Sequence, residues 1–227
     1  MDDNPIYVAI DQMDIFEARR LADDLRGLIG GLKIGLTFWL RHGYTASRHV
    51  TAGYNWFLDL KFKDIPAQVD GAVRAVVEHT PRFLSVHEDG GTEMMQAAVA
   101  AAASEADTLL VRRPKILAVT TLTSLEATPA VVLSQAYHAQ TSGCDGVITS
   151  AREARLLRSE LRADMILLSP GIRPVGFGAG THKRPSTPKE AIDAGVNYLV
   201  IGAPITAASN PPEVVKDILL SIGGEHG

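Results

Sequence analysis

The chain has 227 residues, 46% of them hydrophobic and 21% charged, the proportions of a globular domain at a length that α/β barrels reach as a single unit. It is long enough to bury most of its unfolded surface without staples, and its one cysteine, Cys144, excludes an internal disulfide framework and suits the reducing cytoplasm. A net charge of −4 and a pI near 6.0 argue against a nucleic-acid partner or an anionic membrane surface.

The first residues, "MDDNPIYVAID", are acidic and have no signal-peptide n-region. Eight short runs rich in Val, Ile and Leu then recur in chain order. They are "IYVAI" (6–10), "LKIGL" (32–36), "WFLDL" (56–60), "FLSVH" (83–87), "KILAVTT" (115–121), "GVIT" (146–149), "MILLS" (165–169) and "YLVIG" (198–202). Unbroken apolar runs of this length are the mark of buried parallel strands. The segments between them carry helical patterns; the alanine-rich stretch 97–103 belongs to one, and is too short to span a bilayer.

Helix starts punctuate the same segments. Thr187 precedes Pro188 and Glu190, Asn210 precedes Glu213, and Ser150 precedes Glu153, each the spacing of an N-cap with a capping-box partner. Strand and helix repeated eight times predict one (β/α)8 TIM barrel over residues 1–227. A doubly wound sheet is the rival, but no G-x-G-x-x-G follows the first strand. "GFGAG" (176–180) follows the seventh strand and reads as a mobile loop.

In such a barrel, chemistry gathers at the C-terminal ends of the strands. Asp11 closes the first run and Lys33 lies in the second. Asp59 and Lys61 close the third, two apart and so on one face, with Asp64 in the loop beyond. His87 closes the fourth and Thr123 follows the fifth. "SPGIRP" (169–174) and "IGAPIT" (201–206) stand where barrels of this kind grip a phosphate through glycine-exposed backbone N–H groups. Taken singly, an Asp at a strand end is a turn residue, Lys33 a snorkelling side chain and His87 a hydrogen-bonded histidine at the core edge. Lys63 points the other way and reads as a solvated charge. The gathering of Asp11, Lys33, Asp59, Lys61 and Asp64 at one rim is what points to a reaction. No H-E-x-x-H, H-x-H or cysteine cluster suggests a metal, and no G-x-S-x-G suggests a nucleophilic serine.

"FLDLKFKDIP" (57–66) resembles the Asp-x-Lys-x-x-Asp-Ile-Pro signature of the orotidine 5′-phosphate decarboxylase family. "VAID" at Asp11, "LKIGL" at Lys33, "TTLTS" with Thr123, "SPGIRP" and "VIGAPIT" agree with it along nearly the whole chain. The resemblance implies a barrel homodimer with active sites at the subunit interface. It further implies conversion of orotidine monophosphate to UMP in pyrimidine biosynthesis, with no metal or organic cofactor. By the same resemblance Lys61 protonates C6 of the pyrimidine, and Asp59 stands beside the departing carboxylate and holds Lys61. Asp64, with Ile65 beside it, reaches into the partner subunit's site. Asp11 and Lys33 bind ribose hydroxyls, Thr123 contacts the base, and Pro170, Arg173, Gly202 and the loop 175–186 close on base and phosphate. The chemistry agrees: loss of CO2 from C6 leaves a vinyl-type carbanion without a carbonyl sink, which a fixed cation in a water-excluding site can stabilise.

Three departures from the family pattern bear on function. The arginine that follows the glycine of "IGxPIT" in the family, and grips the phosphate, is Ala203 here, by design or by divergence. Its absence removes charge-assisted hydrogen bonds worth roughly 1.5–3 kcal/mol each. His182 stands where many relatives have a bridging glutamine, and Ala67 and Gln68 where relatives often have Asn-Thr; Gln68 still offers a donor to a ribose hydroxyl or phosphate. Two rivals are a magnesium-dependent keto-sugar-phosphate decarboxylase or aldolase on the same barrel, and a non-catalytic nucleotide-phosphate-binding protein. The first needs carboxylates near strands two and three, where strand two offers Lys33.

Overall fold

The computed structural model describes residues 4–122, 125, 127–177 and 186–223. In chain order the elements are β1 (Ile6–Ala9), α1 (Ile15–Asp24), β2 (Gly31–Gly35), α2 (Leu36–Thr51), β3 (Asn55–Phe62) and α3 (Pro66–Val77). There follow β4 (Phe83–His87), a 3-10 turn (Glu88–Gly90), α4 (Thr92–Leu109), β5 (Lys115–Val119), α5 (Pro129–Thr141), β6 (Gly146–Ile148) and α6 (Ala151–Glu160). The chain then forms β7 (Ile166–Ser169), α7 (Pro188–Asp193), β8 (Tyr198–Ile201), α8 (Ala203–Thr206) and α9 (Pro211–Ser221). The strands pair in parallel in sequence order, and β1 closes on β8. This is the expected (β/α)8 barrel, with every strand on one of the eight apolar runs.

Strand alternation divides the apolar side chains into two packed sets. Tyr7, Phe57, Phe83, Leu117, Val119, Ile148, Leu168 and Val200 form one buried cluster. Their neighbours, such as Ile6, Val8, Leu58 and Leu84, belong to the larger cluster shared with the helices. The first set plugs the barrel, and its upper members, Phe57 and Val119 among them, floor the cavity described below. Lower in the plug, Tyr7 and Phe83 meet at 5.4 Å and Phe83 and Tyr198 at 5.0 Å. The Arg82 guanidinium lies over the Phe83 and Tyr198 rings and donates to the Tyr198 hydroxyl at 2.8 Å.

The helix starts are as the sequence predicts at Thr187, where both halves of the capping box with Glu190 form. Asn210 likewise accepts from the Glu213 backbone N–H. Ser150 caps α6 through the Arg152 N–H, while Glu153 turns inward and is buried instead of closing the box. A cap of this type contributes about 1 kcal/mol. Among the described residues no helix is long and apolar enough to cross a membrane.

Candidate active site

At the C-terminal end of the barrel lies a cavity of about 370 Å³. Its wall carries Asp11, Lys33, Asp59, Lys61, Pro170, Arg173, Gly202 and Ala203, contributed by the ends of β1, β2, β3, β7 and β8. The barrel thus gathers eight of the thirteen residues that the sequence nominates. Asp64, Ile65 and Gln68 do not line it: they lie exposed on the rim where β3 runs into α3. There the Asp64 carboxylate accepts from the N–H of Ile65, at 2.7 Å, and Ile65 is 62% exposed. Thr123 and His182 fall outside the described residues.

The charged groups form a chain of alternating sign. Lys33 donates to Oδ2 of Asp11 and stands 3.6 Å from Oδ2 of Asp59. That same oxygen accepts from Lys61 Nζ at 2.8 Å. Lys33 and Asp59 are both buried, 6% and 8% exposed, so neither tolerates ionisation without its partners. Burial by itself pushes the Asp59 carboxyl up, but Lys33, Lys61 and hydrogen bonds from Lys61 and Ser85 outweigh it and hold the group below the usual carboxylate range. Asp59 is therefore an anion clamped between two cations, in the low-dielectric surroundings where such an arrangement is strongest.

Lys61 does not reach Asp59 by plain strand alternation. β3 continues to Phe62, two residues beyond the expected end, and its pairing with β4 slips: Leu58 opposes Leu84, yet Phe62 opposes Val86. Lys61 adopts a left-handed backbone, φ 52°. The bulge bends the strand and re-aims the lysine over the cavity, as bulges near functional sites do. Lys63, beyond it, pairs with Asp89 at 2.7 Å on the surface, and Asp89 in turn lies 3.3 Å from His87. Lys63 is thus the solvated charge the sequence suggests, and His87 an edge residue held by a neighbour.

Two polar atoms on the cavity wall are buried and have no partner among the described residues: Oδ1 of Asp11 and Nε of Arg173. An acceptor and a cationic donor left open at one cavity are sites for a ligand's hydroxyl and anion. Arg173 is placed by its own backbone, whose N–H donates to the Ser186 carbonyl at 2.9 Å. Ala203 opens α8 at the cavity mouth and is exposed, so the wall there offers a methyl group and no cation.

Three further residues shape the site. Gly35 lets Asp11 and Lys33 stand where they do, since a Cβ there would lie 2.3 Å from Asp11 Oδ1 and 3.2 Å from Lys33 Nζ and would push both side chains aside. Thr121 lines the wall and is held by Gln135 of α5, whose Oε1 accepts from both its N–H and its hydroxyl. Ser85 of β4 donates to Asp59 Oδ1 and accepts from the Lys61 N–H, each at 2.9 Å. Ser85 and Thr121 left a trace in the sequence, as hydroxyls in the apolar runs "FLSVH" and "KILAVTT"; Gly35 acts through a contact that no spacing reveals.

Residues 4–218 match the model of the family described as "Orotidine 5'-phosphate decarboxylase / HUMPS family". A curated relative from Rhodospirillum rubrum named orotidine 5′-phosphate decarboxylase is 43% identical, covering 99% of this chain and 96% of its own. One of the same name from Paramagnetospirillum magneticum is 40% identical over 97% and 99%. The crystal structure of orotidine 5′-phosphate decarboxylase from Lactobacillus acidophilus superposes with a TM-score of 0.82 at 30% identity, covering 98% of this chain and all of that one.

Proposed function

The chain belongs to the orotidine 5′-phosphate decarboxylase / HUMPS family, and from that membership we propose that it decarboxylates orotidine 5′-monophosphate to UMP in pyrimidine biosynthesis. The carrying observation is the buried chain Asp11–Lys33–Asp59–Lys61 on the cavity wall. The C–C bond from C6 to the carboxylate breaks and CO2 leaves with its electron pair left on C6. The Lys61 ammonium, held against Asp59, lies closest to the developing charge and passes its proton to that carbon. Preorganised ions of this kind lower the barrier because they need no reorientation as charge forms. Oδ1 of Asp11 and the Lys33 ammonium take the ribose hydroxyls. Thr123 and Pro170 border the base, and Arg173, Gly202, Ala203 and His182 the phosphate.

Asp64, with Ile65 beside it, completes the site of a second copy in a homodimer, and Gln68 on the same rim donates to a ribose hydroxyl or phosphate. Their exposure on the rim, close in sequence to the array but off its own cavity, supports that assignment. The reading needs neither metal nor organic cofactor, and places the enzyme in the cytoplasm with a small nucleotide as its only substrate.

The keto-sugar-phosphate alternative is disfavoured by the same array. A divalent ion at Asp59 would sit beside two ammonium groups, and its second-strand carboxylate is replaced by Lys33. Turnover is followed as the fall in ultraviolet absorbance when orotidine monophosphate becomes UMP. Unchanged turnover in EDTA is expected; absence of turnover at high enzyme, or its loss on chelation, would overturn the proposal.

A further inference from the structure

Between Leu58↔Leu84 and Phe62↔Val86, three residues of β3 (59–61) stand opposite a single residue of β4, Ser85. A strand so bulged cannot complete its backbone ladder there. The Ser85 hydroxyl fills the gap, accepting from the Lys61 N–H while donating to Asp59 Oδ1. Ser85 is fully buried, so its two hydrogen bonds are sheltered from bulk solvent. We propose that Ser85 is a positioning residue of the decarboxylation site, fixing at once the carboxylate of Asp59 and the left-handed backbone of Lys61. The inference rests on the function proposed above.

The geometry explains why a hydroxyl stands here. One neutral group must donate to a carboxylate and accept from an amide, which Ser and Thr do and Ala and Val do not. Its donation to Oδ1 sets the carboxylate plane so that Oδ2 faces both Lys61 and Lys33. Its acceptance from the amide keeps Lys61 in the backbone conformation that aims Nζ over the cavity. Without it the part-buried Lys61 N–H loses its acceptor, Asp59 is free to turn, and the proton donor loses its aim. Ser85 also helps to keep Asp59 ionised, after the larger influence of the two lysines.

The test compares Ser85→Ala, Ser85→Thr and the parent enzyme, all checked for a parent-like melting temperature. Ser85→Ala is expected to lower kcat about 10–100-fold, to change KM less than about threefold, and to move the acid limb of the pH profile upward. Ser85→Thr, which keeps the hydroxyl, is expected to stay within about threefold of the parent. Should threonine destabilise the fold, Ser85→Cys retains the volume with a weaker donor and is expected to fall between parent and alanine. Parent-like kcat in Ser85→Ala, or a loss carried by KM with an unmoved acid limb, would overturn this inference alone. Absence of turnover in the parent would remove it together with the function it rests on.

Discussion

Lys61 Nζ lies 2.8 Å from Oδ2 of Asp59, although both residues stand in the bulge of β3 and Lys61 sits at φ 52°. Left-handed backbone disfavours a non-glycine residue by about 1–2 kcal/mol. The ion pair, the Ser85 hydrogen bond and the flanking strand pairs hold it there, so strain is concentrated at the residue that carries the proton.

Lys61→Ala should abolish turnover, by more than about a hundredfold, while leaving the fold intact, since Asp59 keeps Lys33 and Ser85 as partners. Activity within tenfold of the parent would refute its role. If Asp64 completes the partner's site, mixing inactive Lys61→Ala and Asp64→Ala chains should restore activity. Statistical subunit exchange yields about a quarter of the sites intact. No recovery after verified exchange would confine the site to one chain.

Gly35→Ala tests the close packing under Asp11. The backbone at Gly35 is extended, φ −104° and ψ −176°, so alanine is conformationally acceptable and only the 2.3 Å approach to Asp11 Oδ1 matters. kcat/KM is expected to fall at least about tenfold through displaced Asp11 and Lys33. A parent-like kcat/KM would mean that Asp11 does not hold the substrate where it stands here.

Ala203→Arg should raise kcat/KM for the phosphorylated substrate by about tenfold or more, from restored charge-assisted hydrogen bonds. The nucleoside lacking phosphate should gain much less. Remote phosphate binding that helps to close the site would appear in kcat as well. Equal gains on both substrates would place Ala203 away from the phosphate.

The Asp59 carboxyl is held below its ordinary range by Lys33 and Lys61 despite burial. An aspartate titrates near 3.9 when unfolded; lowering that value in the folded state makes the unfolded chain bind more protons. Its contribution to stability is therefore complete above about pH 4 and is lost as pH falls through the depressed folded value. Asp59→Asn should destabilise by about 3 kcal/mol near neutrality, the low end for a broken buried pair because Lys61 is partly exposed. The difference in melting temperature from the parent should shrink as the pH drops below about 4. A difference independent of pH across that range would show that the charge of Asp59 is not what stabilises the array.

The barrel was legible because its strands are buried on both faces, which writes each as an unbroken apolar run between capped helices. The charged array was legible for the matching reason: Asp11, Asp59 and Lys61 are polar interruptions at the ends of those runs, and Lys33 is one inside the second. What only the tertiary structure decided is how they meet. The slipped β3–β4 register, the left-handed Lys61, the hydroxyl of Ser85 opposite three residues of β3, and the absent Cβ of Gly35 beneath Asp11 depend on neighbours tens of residues away. Local pattern records which face a residue takes in a regular strand. It is silent where the strand is irregular, and there the non-local packing of the closed barrel sets the geometry.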